Sequence, residues 1–339
     1  MNKFFISKNY LDRYTASSKA KLDCEKIAGK AGFHNIGLKP TFYQYRLIGR
    51  LKTTLSNLVA YCRMPKDGVA FLQYPVFGYK WQVRLAKRKN NKVITIIHDL
   101  NMLRGLSSDF SDKTLLEQSD VLIVHTPQMK EWCRKNMLCK KVAVLGIFDY
   151  LYDKRPGEEN TNTHPFGITV AFAGNLKKSP FLDKLKAEYT TFELFGIGVE
   201  QRKLNGCCVY RGCFHPEALP AHLNSRFGLV WDGESVEACT GTNGEYLKYI
   251  APHKISMYLS CGIPVIVWRQ SAMSDFVTNN QIGIAVDSLT ELELKLSRLS
   301  EEDYKRLKQN VLKVRKKLLD GYFLTQAIAM AEKGNTWES

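Results

Sequence analysis

Residues Gly241–Val267 read GTNGEYLKYIAPHKISMYLSCGIPVIV, and their order predicts a helix feeding a buried strand. Pro252 suits the first helical position, and Ile255, Tyr258 and Leu259 supply an apolar face at helical spacing. Cys261-Gly262 closes the helix, and Pro264 opens the strand Val265-Ile266-Val267. The reading places His253 and Lys254 in the first helical turn. A cation there works against the helix dipole by about 0.3–1 kcal/mol, whereas an anion is favoured. A positive helix end with added positive charge makes sense when phosphate docks on it. The plainer alternative, both side chains splayed into water, stays open on this motif alone.

Working outward, the second half alternates strands and helices. Its strand candidates are 168–173, 192–195, 207–210, 227–231, 265–268 and 282–286. Helices fit 180–189, 252–260 and a long basic stretch from Glu301 to about Leu319. The first half shows the same rhythm, with apolar runs at 4–6, 69–72, 93–97, 121–124 and 142–145 and amphipathic stretches at 18–28 and 83–89. Such alternation argues for parallel sheets covered by helices. The polar span 153–163 (DKRPGEENTNT) reads as a linker. The architecture expected is α/β, with two Rossmann-like doubly wound domains facing a cleft. The first spans 1–155 and the second 164–318, with 319–339 a helical tail packing back on the first.

The chain has 339 residues, nine cysteines without metal-like spacing and a formal charge of +16. Reduced thiols in a cytoplasmic protein fit the cysteine pattern. No apolar run is long enough to span a bilayer, and the apolar part of the N-terminus is too short for a signal peptide. The charge fits nucleic acid, an anionic membrane face or an anionic substrate. No nucleic-acid-binding module is legible, and the cations are scattered, which favours a basic cleft.

The run 168–181 (ITVAFAGNLKKSPF) is a strand, a glycine turn, two lysines and a helix start. Gly174 lets the backbone approach a ligand, Lys177 and Lys178 sit where a phosphate would be met, and Ser179 is a candidate cap. Solvated lysines on an ordinary loop are the alternative. Two such basic sites in one domain are more specific, since a diphosphate needs several donors. Neither a Rossmann glycine fingerprint nor a Walker A pattern is present. Asp232 and Glu234 follow a strand and could meet substrate hydroxyls; either could instead cap the next segment, and Glu234 suits solvent. There is no Asp-x-Asp pair to bridge a metal. In the first half, VITIIHDL (93–100) delivers His98 and Asp99 to a strand end, where a carboxylate could act as general base. Capping the next helix is the competing role for Asp99. RYTASSK (13–19) offers Arg13, Thr15, Ser17, Ser18 and Lys19 to acceptor or diphosphate, or a plain helix cap at Ser17 or Ser18.

The tract WDGESVEACTGTNGEYLKYIAPHKISMYLSCGIPVIVW, with AGNLKKSPF and IHDL, closely resembles bacterial β-1,6-galactofuranosyltransferases of O-antigen clusters. Streptococcal adhesin glucosyltransferases that extend O-linked GlcNAc are more distant relatives. The resemblance runs from Thr15–Lys21 to Ile282–Ser288 and implies the GT-B architecture, with a UDP-sugar held mainly by the second domain. It implies that Gly174, Asn175 and Lys178 line the donor diphosphate and that Lys254 meets it. Tyr246 and Lys248 fall in the same donor loop, and Phe214 lies near the uracil. The wording GEYLKYIAPHK favours the galactofuranosyl enzymes. The expected reaction moves a sugar, galactofuranose by preference, from a UDP-sugar to a glycan acceptor in surface polysaccharide synthesis. It inverts, uses no metal or other cofactor, and employs Asp99, or else His98, as base. Domain closure around the donor would assemble the site. A lipid-linked acceptor, peripheral contact with the inner face of the plasma membrane and a homo-oligomer are all compatible with this reading; a nucleic-acid partner is not expected. Two alternatives remain: a UDP-glucose-dependent glucosyltransferase extending O-linked GlcNAc on an adhesin, and a non-catalytic polyanion or membrane-surface binding protein.

Overall fold

The computed structural model describes residues 2–7, 16–41, 45–104, 109–138, 141–152 and 167–333. In chain order the first elements are β1 (Lys3–Phe5), α1 (Ala16–Lys30), β2 (His34–Asn35), α2 (Arg46–Arg63), β3 (Val69–Tyr74) and α3 (Tyr79–Arg88). They are followed by β4 (Lys92–Ile97), α4 (Asp109–Leu116), β5 (Val121–Val124), α5 (Pro127–Asn136) and β6 (Val142–Val144). The second half holds β7 (Ile168–Ala173), β8 (Thr190–Phe195), β9 (Cys208–Gly212), α6 (Leu219–His222), β10 (Phe227–Val230), α7 (Gly241–Tyr246) and α8 (His253–Ser260). It continues through β11 (Val265–Trp268), α9 (Ser274–Asn279), β12 (Gly283–Val286), α10 (Leu292–Ser297) and α11 (Glu301–Asp320), and the last described element is α12 (Tyr322–Lys333).

The chain divides into two units, Met1–Asp149 with Gly321–Ser339, and Tyr150–Asp320. Among the described residues each unit carries a six-stranded sheet, ordered β2-β1-β3-β4-β5-β6 in the first and β12-β11-β10-β7-β8-β9 in the second. All pairings are parallel. The interior strands β3 and β5 are buried along their whole length, as a sheet covered on both faces requires. Counted from β7, the second sheet has the strand order 3-2-1-4-5-6 of a dinucleotide-binding fold. Its order reverses between β7 and β10. In the first sheet the reversal falls between β1 and β3. Ligands of such sheets bind outside the carboxyl ends of the strands at the reversal, so these two places matter most for function.

The strand runs read from sequence lie within two residues of the strands observed, because each is an apolar stretch bounded by turn residues. Four details differ. The helix expected over 180–189 is a 3-10 turn, Pro180–Lys184, after which Leu185 turns extended. Ser179 does not cap it; its hydroxyl donates to the carbonyl of Asn175 instead. Pro252 is the cap of α8 and not its first residue, with ψ at 140°. α1 already includes Ser17 and Ser18, so neither is its cap. β2 and α2 were not legible as elements. β2 is only two residues long, and the strand-to-strand rhythm passes over α2. The linker expected at 153–163 lies outside the described residues, as do Arg13 and Thr15.

Candidate active site

In the second unit, the switch point is built by β7, β10 and α8. Tyr258 of α8 is fully buried, accepting from the Ala173 N–H at 2.7 Å and donating to the Ala171 carbonyl at 3.2 Å. A Cβ on Gly228 of β10 would lie 2.2 Å from the Tyr258 ring, so only glycine leaves room for it. The tyrosine thereby clamps α8 onto the end of β7. Lys254 lies one turn earlier on the same helix face. Its ammonium sits 4.5 Å from the centre of the Phe172 ring and 3.5 Å from both the Trp231 carbonyl and the Asp232 carboxylate. A Cβ on Gly174 would come within 3.2 Å of Lys254 Cε and 3.4 Å of Nζ. Gly174, Asp232 and Lys254, far apart in sequence, thus meet at the sheet's reversal.

The other sequence candidates surround this point to different degrees. Gly174 donates its N–H to Phe195, continuing the sheet, so its contribution is the lack of a side chain. Asn175 turns a buried Oδ1 inward with no partner among the described residues. Lys177 and Lys178 are exposed on the 3-10 turn Leu176–Lys178. Gly198, at φ 86°, packs its α-carbon against Lys177, where a Cβ would lie 2.7 Å from that of the lysine. His253 opens α8 with both ring nitrogens shielded from solvent, 6.1 Å from the Tyr150 ring. Phe214 stacks one face on His222, centroids 3.8 Å apart. Tyr246 is buried in the core, while Lys248 pairs with Glu245 at 2.6 Å and lies over the Trp268 ring. Glu234 is exposed.

In the first unit the switch point holds a buried polar chain that sequence reading missed. The Ser7 hydroxyl donates to Glu25 at 2.5 Å. The Gln73 amide nitrogen is directed to the Lys21 carbonyl and to Glu25, at 3.3 and 3.4 Å. Its oxygen therefore faces His98 and accepts from Nε2 at 2.7 Å. Because an amide oxygen can only accept, that bond makes Nε2 of His98 a protonated nitrogen. The imidazole stacks on Phe148 at 5.3 Å. Asp99 follows at the end of β4, paired with Arg104 at 3.3 Å. Burial raises its pKa above the ordinary carboxylate value, opposed by Arg104 and Lys21. The turn that follows is 3-10, Asn101–Arg104. Lys19 is buried in an ion pair with Asp23 at 2.6 Å, so its charge is already answered within α1. Ser18 is buried beside it in α1, and the Ser17 side chain lies outside the described residues. Ser7, Glu25 and Gln73 follow no sequence motif, because only the strand order brings them together. Among the described residues no group of three His, Cys, Asp or Glu side chains is placed to hold a metal ion.

Comparison with known proteins identifies the family. Models of the glucosyltransferase 3-like N-terminal and C-terminal domains match residues 3–147 and 170–331. The beta-1,6-galactofuranosyltransferase WbbI of Escherichia coli (strain K12) is 30% identical over 333 residues, covering 96% of this chain and 97% of the relative. The chain belongs to the glucosyltransferase 3-like family. Glucosyltransferase 3 of Streptococcus gordonii is 26% identical over 315 residues, 90% of each chain. Among solved structures, the alpha,alpha-trehalose 6-phosphate synthase of Burkholderia multivorans aligns over 98% of both chains with a TM-score of 0.58 at 8% identity. A UDP-N-acetylglucosamine 2-epimerase, so described as putative, from Listeria monocytogenes covers 98% of this chain and 96% of its own at 0.53 and 11% identity. Those two likenesses concern the fold, which is GT-B. As a member of this family the chain is a glycosyltransferase.

Proposed function

We propose that this glycosyltransferase moves a hexosyl group, galactofuranose by preference, from a UDP-sugar to a glycan acceptor in surface polysaccharide synthesis. The observation that carries the reading is the convergence of Gly174 and the Lys254 ammonium at the switch point of the second sheet. A diphosphate there finds a cation held by packing, a helix N-terminus and a backbone without a Cβ in the way. Departure of UDP builds negative charge on the diphosphate, and a preorganised cation stabilises it as it forms. Asn175, Lys177, Lys178, His253 and Lys248 would complete the donor pocket, with Phe214 beside the base. No metal is assigned a part; the lysines supply the charge.

Inversion at the anomeric carbon needs one base to take the acceptor hydroxyl's proton. Asp99 is assigned that role, because a raised pKa brings a carboxylate closer to the optimum for proton transfer near neutral pH. His98 is the second choice. The galactofuranose preference rests on the Escherichia coli relative, whose identity and coverage exceed those of the streptococcal enzyme. Among the described residues no helix is long and apolar enough to cross a membrane. We assign the protein to the cytoplasm, in peripheral contact with the membrane that carries a lipid-linked acceptor. The test is a panel of UDP-sugars, including UDP-galactofuranose and UDP-glucose, scored for binding and for UDP release with an acceptor. Consumption of UDP-galactofuranose ahead of UDP-glucose is the expected result. Preference for UDP-glucose would transfer the streptococcal reading to this chain, and binding of none would remove the donor assignment.

A further inference from the structure

α2 is amphipathic the wrong way round. It buries Gly49, Thr53, Ser56 and Ala60, all small. Leu47, Leu51, Leu55 and Leu58 face outward, 74%, 68%, 51% and 59% exposed. At about 100° per residue these leucines form one stripe, opposite the buried face. Arg50 and Lys52 are also exposed and flank the stripe, each roughly 100° round from its centre. No Asp or Glu occurs in α2, whose cations are Arg46, Arg50, Lys52 and Arg63, or in α3, whose cations are Lys80, Arg84, Lys87 and Arg88. Phe77 and Trp81 are half-exposed or more, and the Arg50 guanidinium lies 5.8 Å from the Phe77 ring. Gln82 of α3 is bonded to Asn57 of α2 at 3.0 Å, which fixes the two helices as one surface.

We propose that α2, with Phe77 and Trp81, is the surface by which the protein lies on an anionic lipid bilayer. A stripe of leucines rimmed by cations and an exposed tryptophan is what an interfacial helix needs: acyl chains take the leucines, and phosphate headgroups take the arginine and lysine. A second copy of this chain suits the surface less well. Two such faces would bring cation against cation, with no carboxylate on either helix to answer them. The inference deepens the membrane contact proposed above by naming its surface, yet its test does not depend on activity.

The full chain is mixed with vesicles of phosphatidylcholine alone or with phosphatidylglycerol added, and partition is measured by flotation. Binding is expected with the anionic vesicles only, weakening as salt is raised. Leu51→Glu with Leu55→Glu should lower partition at least about tenfold at unchanged melting temperature, since both side chains are exposed. Arg50→Glu with Lys52→Glu should lower it on anionic vesicles alone. A wild-type protein that ignores anionic vesicles overturns the proposal, as does equal partition of wild type and leucine variant. Conversion of a multimer to a monomer by the leucine changes, without vesicle binding, would assign the stripe to self-association and overturn it equally. UDP binding measured on the same samples keeps the donor reading separate: its loss in wild type would sink that reading and leave the lipid surface standing.

Discussion

Lys254 owes its position to several neighbours at once. The Phe172 ring beneath it, the Asp232 carboxylate beside it and the bare α-carbon of Gly174 leave its ammonium a narrow place to sit. Lys254→Ala should weaken UDP binding by about 1.5–3 kcal/mol, the usual worth of a charge-assisted hydrogen bond. Calorimetry with unchanged affinity would take Lys254 out of the donor site. Asp99 is the other residue on which the proposed mechanism turns. It is about a third exposed, so its pair with Arg104 adds little stability. Asp99→Asn should therefore melt with wild type while kcat falls about 10²–10⁴-fold. Because the ionised form is the base and burial raises its pKa, wild-type turnover should decline with acidification at a pH above the ordinary carboxylate range. A fully active Asn variant would pass the role to His98, for which His98→Gln is the matching measurement.

At the scale of elements, the buried strands and α8 were legible because their apolar spacing is dictated by burial on both faces or on one. The clamp that aims α8 was not. Tyr258 reads as one more apolar position, and its bonds to Ala171 and Ala173 of β7 depend on the room left by Gly228 in the neighbouring strand β10. The outward stripe of α2 escapes for the opposite reason, since leucines at helical spacing read as core unless the buried face is known. α12 shows a further long-range device. Asp149 accepts from the N–H groups of Phe323 and Leu324 at its start, at 3.1 and 2.7 Å. Burial nevertheless pushes Asp149 up to about 7. Since an unfolded aspartate titrates near ~3.9, this group's stabilisation is full below that value and is lost as pH rises through about 7. His125, buried and donating to the Ile97 carbonyl, is pushed down to about 4. Its contribution is full above the unfolded value of ~6.5 and is lost as pH falls toward about 4. The two slopes oppose each other in one window. Asp149→Asn should leave a melting temperature that climbs from pH 4 to 6.5, and His125→Gln one that falls from pH 4 to 7. Flat profiles for both variants would show that neither group is held as described.

For the whole molecule, the formal charge of +16 bears on both proposed surfaces. Part of it is spent on the exposed faces of α2 and α3, where arginines and lysines lie among apolar side chains. Another part lies beyond the end of β7, with Lys254 at the sheet's switch point and Lys177 and Lys178 exposed on the turn that follows β7. A leaving diphosphate can be stabilised by a divalent ion or by fixed cations, and the two mechanisms differ in what chelation does. Among the described residues the carboxylate beside Lys254 is that of Asp232, which already pairs with the ammonium at 3.5 Å. A metal recruited to that carboxylate would have to displace the lysine that packs on Phe172 and Gly174, so the two arrangements compete for the same space. The proposed mechanism uses fixed cations, which cost no reorganisation as charge develops. Sugar transfer should accordingly persist in excess EDTA, and added Mn²⁺ or Mg²⁺ should leave kcat unchanged. Raised salt should weaken UDP binding in wild type more than in Lys254→Ala, since the screened charge is then already missing. Activity abolished by EDTA and restored by Mn²⁺ would mean that Asp232 is a metal ligand in the working enzyme and that Lys254 moves aside for it.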